Sequence, residues 1–195
     1  MDISAKDVKL LREQTGISMM ACKKALVDAG GNFEEAKKFL RTQGEKVAEK
    51  KLARDTNQGI IASYIHGNNK IGALVELHCE TDFVGKNEGF KNLAKELAIQ
   101  VVGYSPLYVS EDYVPVEDIK KKTKLFKEEF KGQKVEGDRL EKALSSKIDK
   151  FRRENSLLSQ KYFRDESKTI DQLIKETVAK LGENIQIKRF VRYQI

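Results

Sequence analysis

The sequence predicts an α+β protein: a three-helix module at the N-terminus, then a core with a small antiparallel three-stranded sheet packed with helices. Three observations lead there. Apolar residues recur at 3–4 spacing over several long stretches. The period changes to two at 59–66 (GIIASYIH) and 71–79 (IGALVELHC), and again at the C-terminus. Strands are therefore divided between the middle of the chain and its end, with helices between them, an α+β order.

Ser4 is placed to cap a first helix, with Asp7 at the capping-box position, Val8 and Leu11 on one face and Thr15-Gly16 as its end. Ser18 starts a second, with Met19, Cys22, Ala25 and Leu26 among its apolar positions and Gly30-Gly31 as the stop. Asn32 with Glu35 starts a third, whose expected buried stripe is Phe33, Ala36, Phe39 and Leu40, ending at Gly44. Three helices in about 44 residues are near the lower limit for independent folding. Residues 45–56 (EKVAEKKLARDT) read as an exposed connecting helix.

The two β-rich runs flank Gly67-Asn68-Asn69-Lys70, a hairpin turn. Asn87 begins a strongly amphipathic helix with Phe90, Leu93, Ala94, Leu97, Ala98 and Val101 on one face, ended by Gly103. Pro106 belongs to a loop, and Pro115 suits the first turn of a helix carrying Val116, Ile119, Thr123, Phe126 and Phe130. A turn at Gly132 and Gly137 leads to a helix with Leu140, Leu144, Ile148 and Phe151 on one face. Ile170, Leu173, Ile174, Val178 and Leu181 mark the last helix, stopped by Gly182. The closing strand, NIQIKRFVRYQI, is apolar at its odd positions (Ile185, Ile187, Val191, Tyr193, Ile195), with Arg189 and Phe190 breaking the alternation. The domain division this implies is 1–56, then 57–195. A three-stranded sheet leaves one face free of helices. With an apolar last strand, that face is either wet or a subunit interface.

The chain has 195 residues and a net charge of +7, which raises a nucleic-acid partner. The distribution opposes it. Cutting at 58, 110 and 168 gives net charges of +3, −1, +3 and +2, with acid and base interspersed. The local run Lys120-Lys121-Lys122 sits between acidic residues at 117–118 and 128–129, whereas a phosphate-tracking stripe should be one-sided. No apolar run approaches the roughly 18 residues that cross a bilayer, and the N-terminal segment lacks the apolar core of a signal peptide. A cytoplasmic protein without membrane contact is expected.

Catalytic chemistry finds no support. Cys22 and Cys79 lack metal-ligand spacing and are expected to be reduced. His66 and His78, twelve residues apart on strands, have no carboxylate or cysteine spaced to complete a metal site. There is no Gly-rich phosphate loop, no GxSxG and no CxxC. No nucleophile is spaced with a base. No enzyme activity, cofactor or metal is expected.

One segment stands out. Residues 80–84, Glu-Thr-Asp-Phe-Val, lie between the second strand and the long helix, where the following GKNEG reads as loop. Phe83 either tucks under the helix as a local staple, with Asp82 capping a turn, or protrudes with Asp82 as a wedge that fills a partner's pocket.

Segment 76–90 (ELHCETDFVGKNEGF) closely resembles the hallmark of the elongation factor Ts family, exchange factors for the translational GTPase elongation factor Tu. Residues 11–26 (LREQTGISMMACKKAL) resemble that family's other signature, carried by a ubiquitin-associated-like three-helix module. Residues 182–193 (GENIQIKRFVRY) look like its closing strand. The three segments stand in the family's order. The resemblance implies that Asp82 and Phe83, with Thr81 and Val84 shaping the loop, push between helices of the GTPase near its magnesium and phosphate site. It also implies that the N-terminal module grips the same domain. Met19 and Met20 are then candidate contacts, with core packing as the alternative. Three departures stand out: His78 where the family usually has Asn, Gly85 where it has Ala or Ser, and Ile17-Ser18 for Ala-Gly. Gly85 is expected to loosen the loop. The chain resembles the family's short form, without a long coiled-coil insertion, and similar members work as homodimers. Two other readings are an RNA-binding accessory protein of translation, resting on the basic balance and residues 120–134, and a helical adaptor built on residues 1–56.

Overall fold

The computed structural model describes residues 3–132 and 137–195. Among them are eight α-helices and five strands. In order these are α1 (Ala5–Thr15), α2 (Met19–Asp28), α3 (Phe33–Glu49), β1 (Gln58–Ile65), β2 (Ile71–Cys79), α4 (Asp82–Gly85), α5 (Glu88–Tyr104), α6 (Val116–Gly132), α7 (Asp138–Asn155), β3 (Lys161–Tyr162), β4 (Asp165–Thr169), α8 (Ile170–Leu181) and β5 (Ile185–Gln194). The fold is α+β: an antiparallel three-stranded sheet in the order β1-β2-β5, packed with helices, plus a separate β3-β4 ribbon.

The first helices start where their caps dictate. Ser4 Oγ accepts from the Asp7 N–H at 3.1 Å, and its hydroxyl donates to the Asp7 carboxylate at 2.6 Å. Ser18 Oγ accepts from the Ala21 N–H at 3.4 Å. Asn32 Oδ1 takes both the Glu34 and Glu35 N–H groups at 3.0 and 3.2 Å. The faces these caps orient meet in one cluster of Val8, Leu11, Cys22, Ala25, Leu26, Ala36 and Leu40, with Phe33 against its rim.

Here the structure departs from the sequence reading. Gly44 does not end the third helix, and residues 45–56 are not a separate exposed helix. α3 continues to Glu49, and its buried positions are Ala36, Leu40, Gly44 and Ala48, a strict four-residue repeat. Phe39, expected inside, is exposed. The glycine is there for packing. A Cβ at Gly44 would lie 3.1 Å from Ala179 Cβ on α8, so the two helices meet at their smallest residues. Arg41 secures the crossing by donating to Gln172 at 2.6 Å and lying 3.9 Å from Glu176.

The chain divides into two compact units. One comprises residues 1–62, 76–95 and 172–187, the other 63–75, 96–171 and 188–195. The first contains α1–α3, the ends of β1 and β2 next to the 81–84 turn, most of α8 and the start of β5. The second contains the hairpin tip, where the His66 N–H donates to the Ile71 carbonyl at 2.9 Å and Asn69 takes a positive φ of 56°. It also contains the α6–α7 pair. Lys147, on α7, lies 5.1 Å from the rings of both Phe126 and Phe130 on α6 and bonds Glu129 at 2.5 Å. The turn expected between Gly132 and Gly137, and the end of the basic segment 120–134, fall on residues 133–136, outside the described residues.

The β3-β4 ribbon has no counterpart in the sequence reading. It is short, and buried Gln100 holds it from α5: Gln100 Nε2 donates to the Lys161 carbonyl at 3.0 Å, and its Oε1 accepts from the Phe163 N–H at 3.1 Å. β5 departs from strict alternation. Ile185 and Ile187 are buried as expected, Lys188 and Arg189 are both exposed, and then Phe190 and Arg192 turn inward. Arg192 Nε reaches the Val102 carbonyl at 3.4 Å. Val191, Tyr193 and Ile195, apolar odd positions of the strand, are exposed. His66 lies just past the end of β1, against Tyr64.

Candidate functional site: the turn after the second strand

β2 delivers the chain into the turn with an inward set, Ala73, Val75, Leu77 and Cys79, all buried. At its end the expected open loop is a short helical turn, α4. Thr81, not Asp82, is the cap: its backbone is extended (φ −125°, ψ 158°) and its Oγ1 faces the Val84 N–H at 3.4 Å. The Thr81 carbonyl accepts from the Gly85 N–H at 3.2 Å, and the Asp82 carbonyl from the Lys86 N–H at 3.0 Å. Asp82 is the first residue of the turn. Its carboxylate takes Lys86 Nζ at 2.6 Å, and that bond, with the lysine's charge, holds the Asp82 carboxyl below the usual carboxylate range.

Phe83 is 81% exposed, so it does not tuck under α5. Val84 is half-buried and Gly85 is buried. The turn thus projects one aromatic ring outward while its other side rests on the protein. Below it, Cys79 Sγ donates to the Thr81 carbonyl at 3.1 Å. Burial pushes the Cys79 thiol pKa up, and the nearby Glu183 carboxylate adds to the shift. A buried thiol shifted in this direction has reduced thiolate character.

Gly85 is compatible with a side chain. A Cβ there would meet Cys79 Sγ at 3.7 Å and the Gly59 carbonyl oxygen at 3.9 Å, ordinary contact distances. Gly59 is not. A Cβ on it would lie 2.2 Å from the Leu77 carbonyl oxygen and 2.9 Å from His78 Cα, so β1 and β2 meet here at a spacing only glycine allows. His78 faces the Thr56 carbonyl with Nδ1 at 3.0 Å and Glu76 with Nε2 at 2.8 Å.

The corner between α8 and β5, which the sequence reading did not single out as part of the site, holds the turn from the side. Glu183 accepts from the Thr81 N–H at 3.0 Å and the Thr81 hydroxyl at 2.6 Å. Glu80 in return accepts from the Asn184 N–H at 2.6 Å. Buried Asn184 donates to the Arg54 and Leu52 carbonyls at 2.8 and 3.3 Å, and Lys51 donates to the Gly182 carbonyl. No spacing rule could link residues about 100 positions apart; the only sequence signal was the GEN of the 182–193 segment.

Met19 and Met20 open α2. Met20 is 77% exposed and Met19 half as much, so neither belongs to the buried cluster of the module. Exposed Val27 lies on the same helix and exposed Phe39 on α3.

The family model described as "Elongation factor TS" matches residues 5–195. Curated relatives match over nearly their whole length. Elongation factor Ts of Fervidobacterium nodosum is 45% identical over 195 residues, 100% of this chain and 99% of that one. That of Thermosipho melanesiensis is 47% identical over 193 residues, 99% and 98% of the two chains. That of Thermodesulfovibrio yellowstonii is 46% identical over 195 residues, 100% and 97%. A capped turn projecting Phe83 beneath the 76–90 signature, and full-length matches on this scale, make the chain a member of the elongation factor Ts family of translation factors.

Proposed function

We propose that this chain is a guanine-nucleotide exchange factor that binds the GTPase elongation factor Tu in the cytoplasm and accelerates GDP release. The observation that carries the reading is Phe83, 81% exposed on a turn whose backbone is bonded from both sides. A large apolar ring kept in water at no benefit to its own fold is the profile of an interface anchor.

Such a GTPase holds GDP partly through a magnesium ion bridging phosphate oxygens and protein ligands. A factor that binds the nucleotide-free state better than the GDP state must weaken GDP by the same factor by which GDP weakens it. Phe83 enters between helices of the GTPase, and the ionised Asp82 beside it disturbs the magnesium and phosphate site. Thr81 and Val84 hold the turn. The factor works by binding and catalyses no bond change. Met19 and Met20, exposed at the start of α2, give the N-terminal module a deformable apolar surface for the same GTPase.

The outer sheet face supports a second partner, another copy of this chain. Ile65, Leu74, Tyr193 and Ile195 stand exposed around one shallow groove, a patch that monomers tend to cover. Sedimentation at micromolar concentration should give a dimer, and Tyr193→Asp a monomer. A monomeric wild type refutes this part alone.

The decisive test is release of fluorescent GDP from purified elongation factor Tu, with wild type and Phe83→Ala. Acceleration that the variant loses supports the proposal. A folded wild type without effect refutes it and favours the RNA-binding reading, which a steep salt dependence of RNA affinity would then bear out.

A further inference from the structure

We propose that Glu183 is the positioning residue of the Phe83 turn, a role that rests on the exchange-factor reading above. Its carboxylate accepts two bonds from one residue, the Thr81 N–H at 3.0 Å and the Thr81 hydroxyl at 2.6 Å. Because the hydroxyl proton goes to Glu183, the lone pairs of Thr81 Oγ1 are left to face the Val84 N–H. One carboxylate thus fixes the rotamer of the cap, the cap fixes the turn, and the turn holds Phe83 away from the protein.

The corner that carries Glu183 is itself anchored. Glu80 takes the Asn184 N–H, so residues 80–81 and 183–184 exchange side-chain-to-backbone bonds in both directions. Asn184 is 1% exposed and bonds two carbonyls of the segment that leaves α3. Glu183 is therefore a fixed reference for the turn. An anchor held in its bound pose avoids the ordering cost that a loose one pays on association. Glu183 acts through Thr81 on the ring, so its contribution should vanish when the ring is gone.

The test follows GDP release from elongation factor Tu over a range of factor concentrations. It uses wild type, Glu183→Gln, Thr81→Val, Thr81→Ser, Phe83→Ala and the double variant Glu183→Gln/Phe83→Ala, each checked by circular dichroism. Glu183→Gln keeps the shape but faces an amide N–H2 toward a donor, and should slow exchange about tenfold, the loss of a charge-assisted bond. Thr81→Val should lose a similar factor, and Thr81→Ser, which keeps the hydroxyl, should recover it. In the Phe83→Ala background Glu183→Gln should change the rate by less than about twofold. A wild-type rate in Glu183→Gln overturns the proposal, as does an equal loss with and without Phe83. If Glu183→Gln fails to fold, Thr81→Val and its serine rescue decide by the same criteria. A wild type that does not accelerate release refutes the exchange reading, and the positioning role falls with it. Loss in both Glu183→Gln and Thr81→Val, recovery in Thr81→Ser, and wild type and Phe83→Ala behaving as proposed for the wedge leave both standing.

Discussion

Phe83→Ala separates a ring that binds a partner from a ring that holds the fold. Phe83 is 81% exposed, so about a fifth of its surface is withheld from water. Full burial of a phenylalanine stabilises by about 1.5–3 kcal/mol, and a fifth of that is roughly 0.3–0.6 kcal/mol. Phe90, on α5, is 0% exposed, and truncating such a ring costs about 3–5 kcal/mol. With a urea slope of about 2 kcal/mol/M, the midpoint should move by roughly 0.15–0.3 M for Phe83→Ala and by roughly 1.5–2.5 M for Phe90→Ala. Urea unfolding followed by circular dichroism reads both. The expected pattern is a nearly unmoved midpoint with lost exchange activity for Phe83→Ala. A stability loss of about 2 kcal/mol or more at Phe83 would mean that the ring is packed in solution as a local staple. Any loss of exchange would then be a consequence of unfolding, and the wedge would have no support.

Gly59→Ala should lower stability by about 1–3 kcal/mol or more, because its Cβ would meet backbone, not a side chain that can turn away; a melting temperature equal to wild type would show that β1 and β2 can separate there. Gly85→Ala should raise stability by about 0.4–1 kcal/mol by restricting the unfolded chain without a clash, so a fall in the urea midpoint would contradict the geometry around Cys79. Burial, with Glu96 beside it, pushes the Tyr162 pKa to about 12, and burial also raises Cys79. The unfolded chain releases these protons near the ordinary values of 9.0 and 10.0 while the folded chain keeps them. Their contribution is therefore whole below about pH 9 and declines as pH rises toward the folded values. Urea midpoints at about pH 8, 9.5 and 10.5 should fall in that order, and a flat series would contradict it.

Much of this protein is local and was legible in its sequence. Ser4, Ser18 and Asn32 start helices because a short polar side chain meets nearby N–H groups, and 3–4 spacing marked the buried face of α5 from Phe90 to Val101. The 76–90 signature also located the turn. Tertiary structure decided the rest, because the deciding contacts join residues that no periodicity relates. Gly44 reads as a stop, yet it is buried because Ala179 of α8 lies against it. Phe39 sits on an apolar spacing but faces out, since the buried face of α3 is the stripe of Ala36, Leu40, Gly44 and Ala48, with Ala36 and Leu40 in the cluster shared with α1 and α2 and Gly44 against Ala179 of α8. The alternation of β5 breaks at Arg189 in the sequence, but only the tertiary structure shows Arg192 turned in, its Nε 3.4 Å from the Val102 carbonyl, with Tyr193 and Ile195 exposed. Residues 81–84 stood out in the sequence as the segment proposed to meet a partner. That Phe83 is held outward, with Thr81 as cap and Glu183 behind it, depends on hydrogen bonds across about 100 positions, which form only once the chain has folded back on itself.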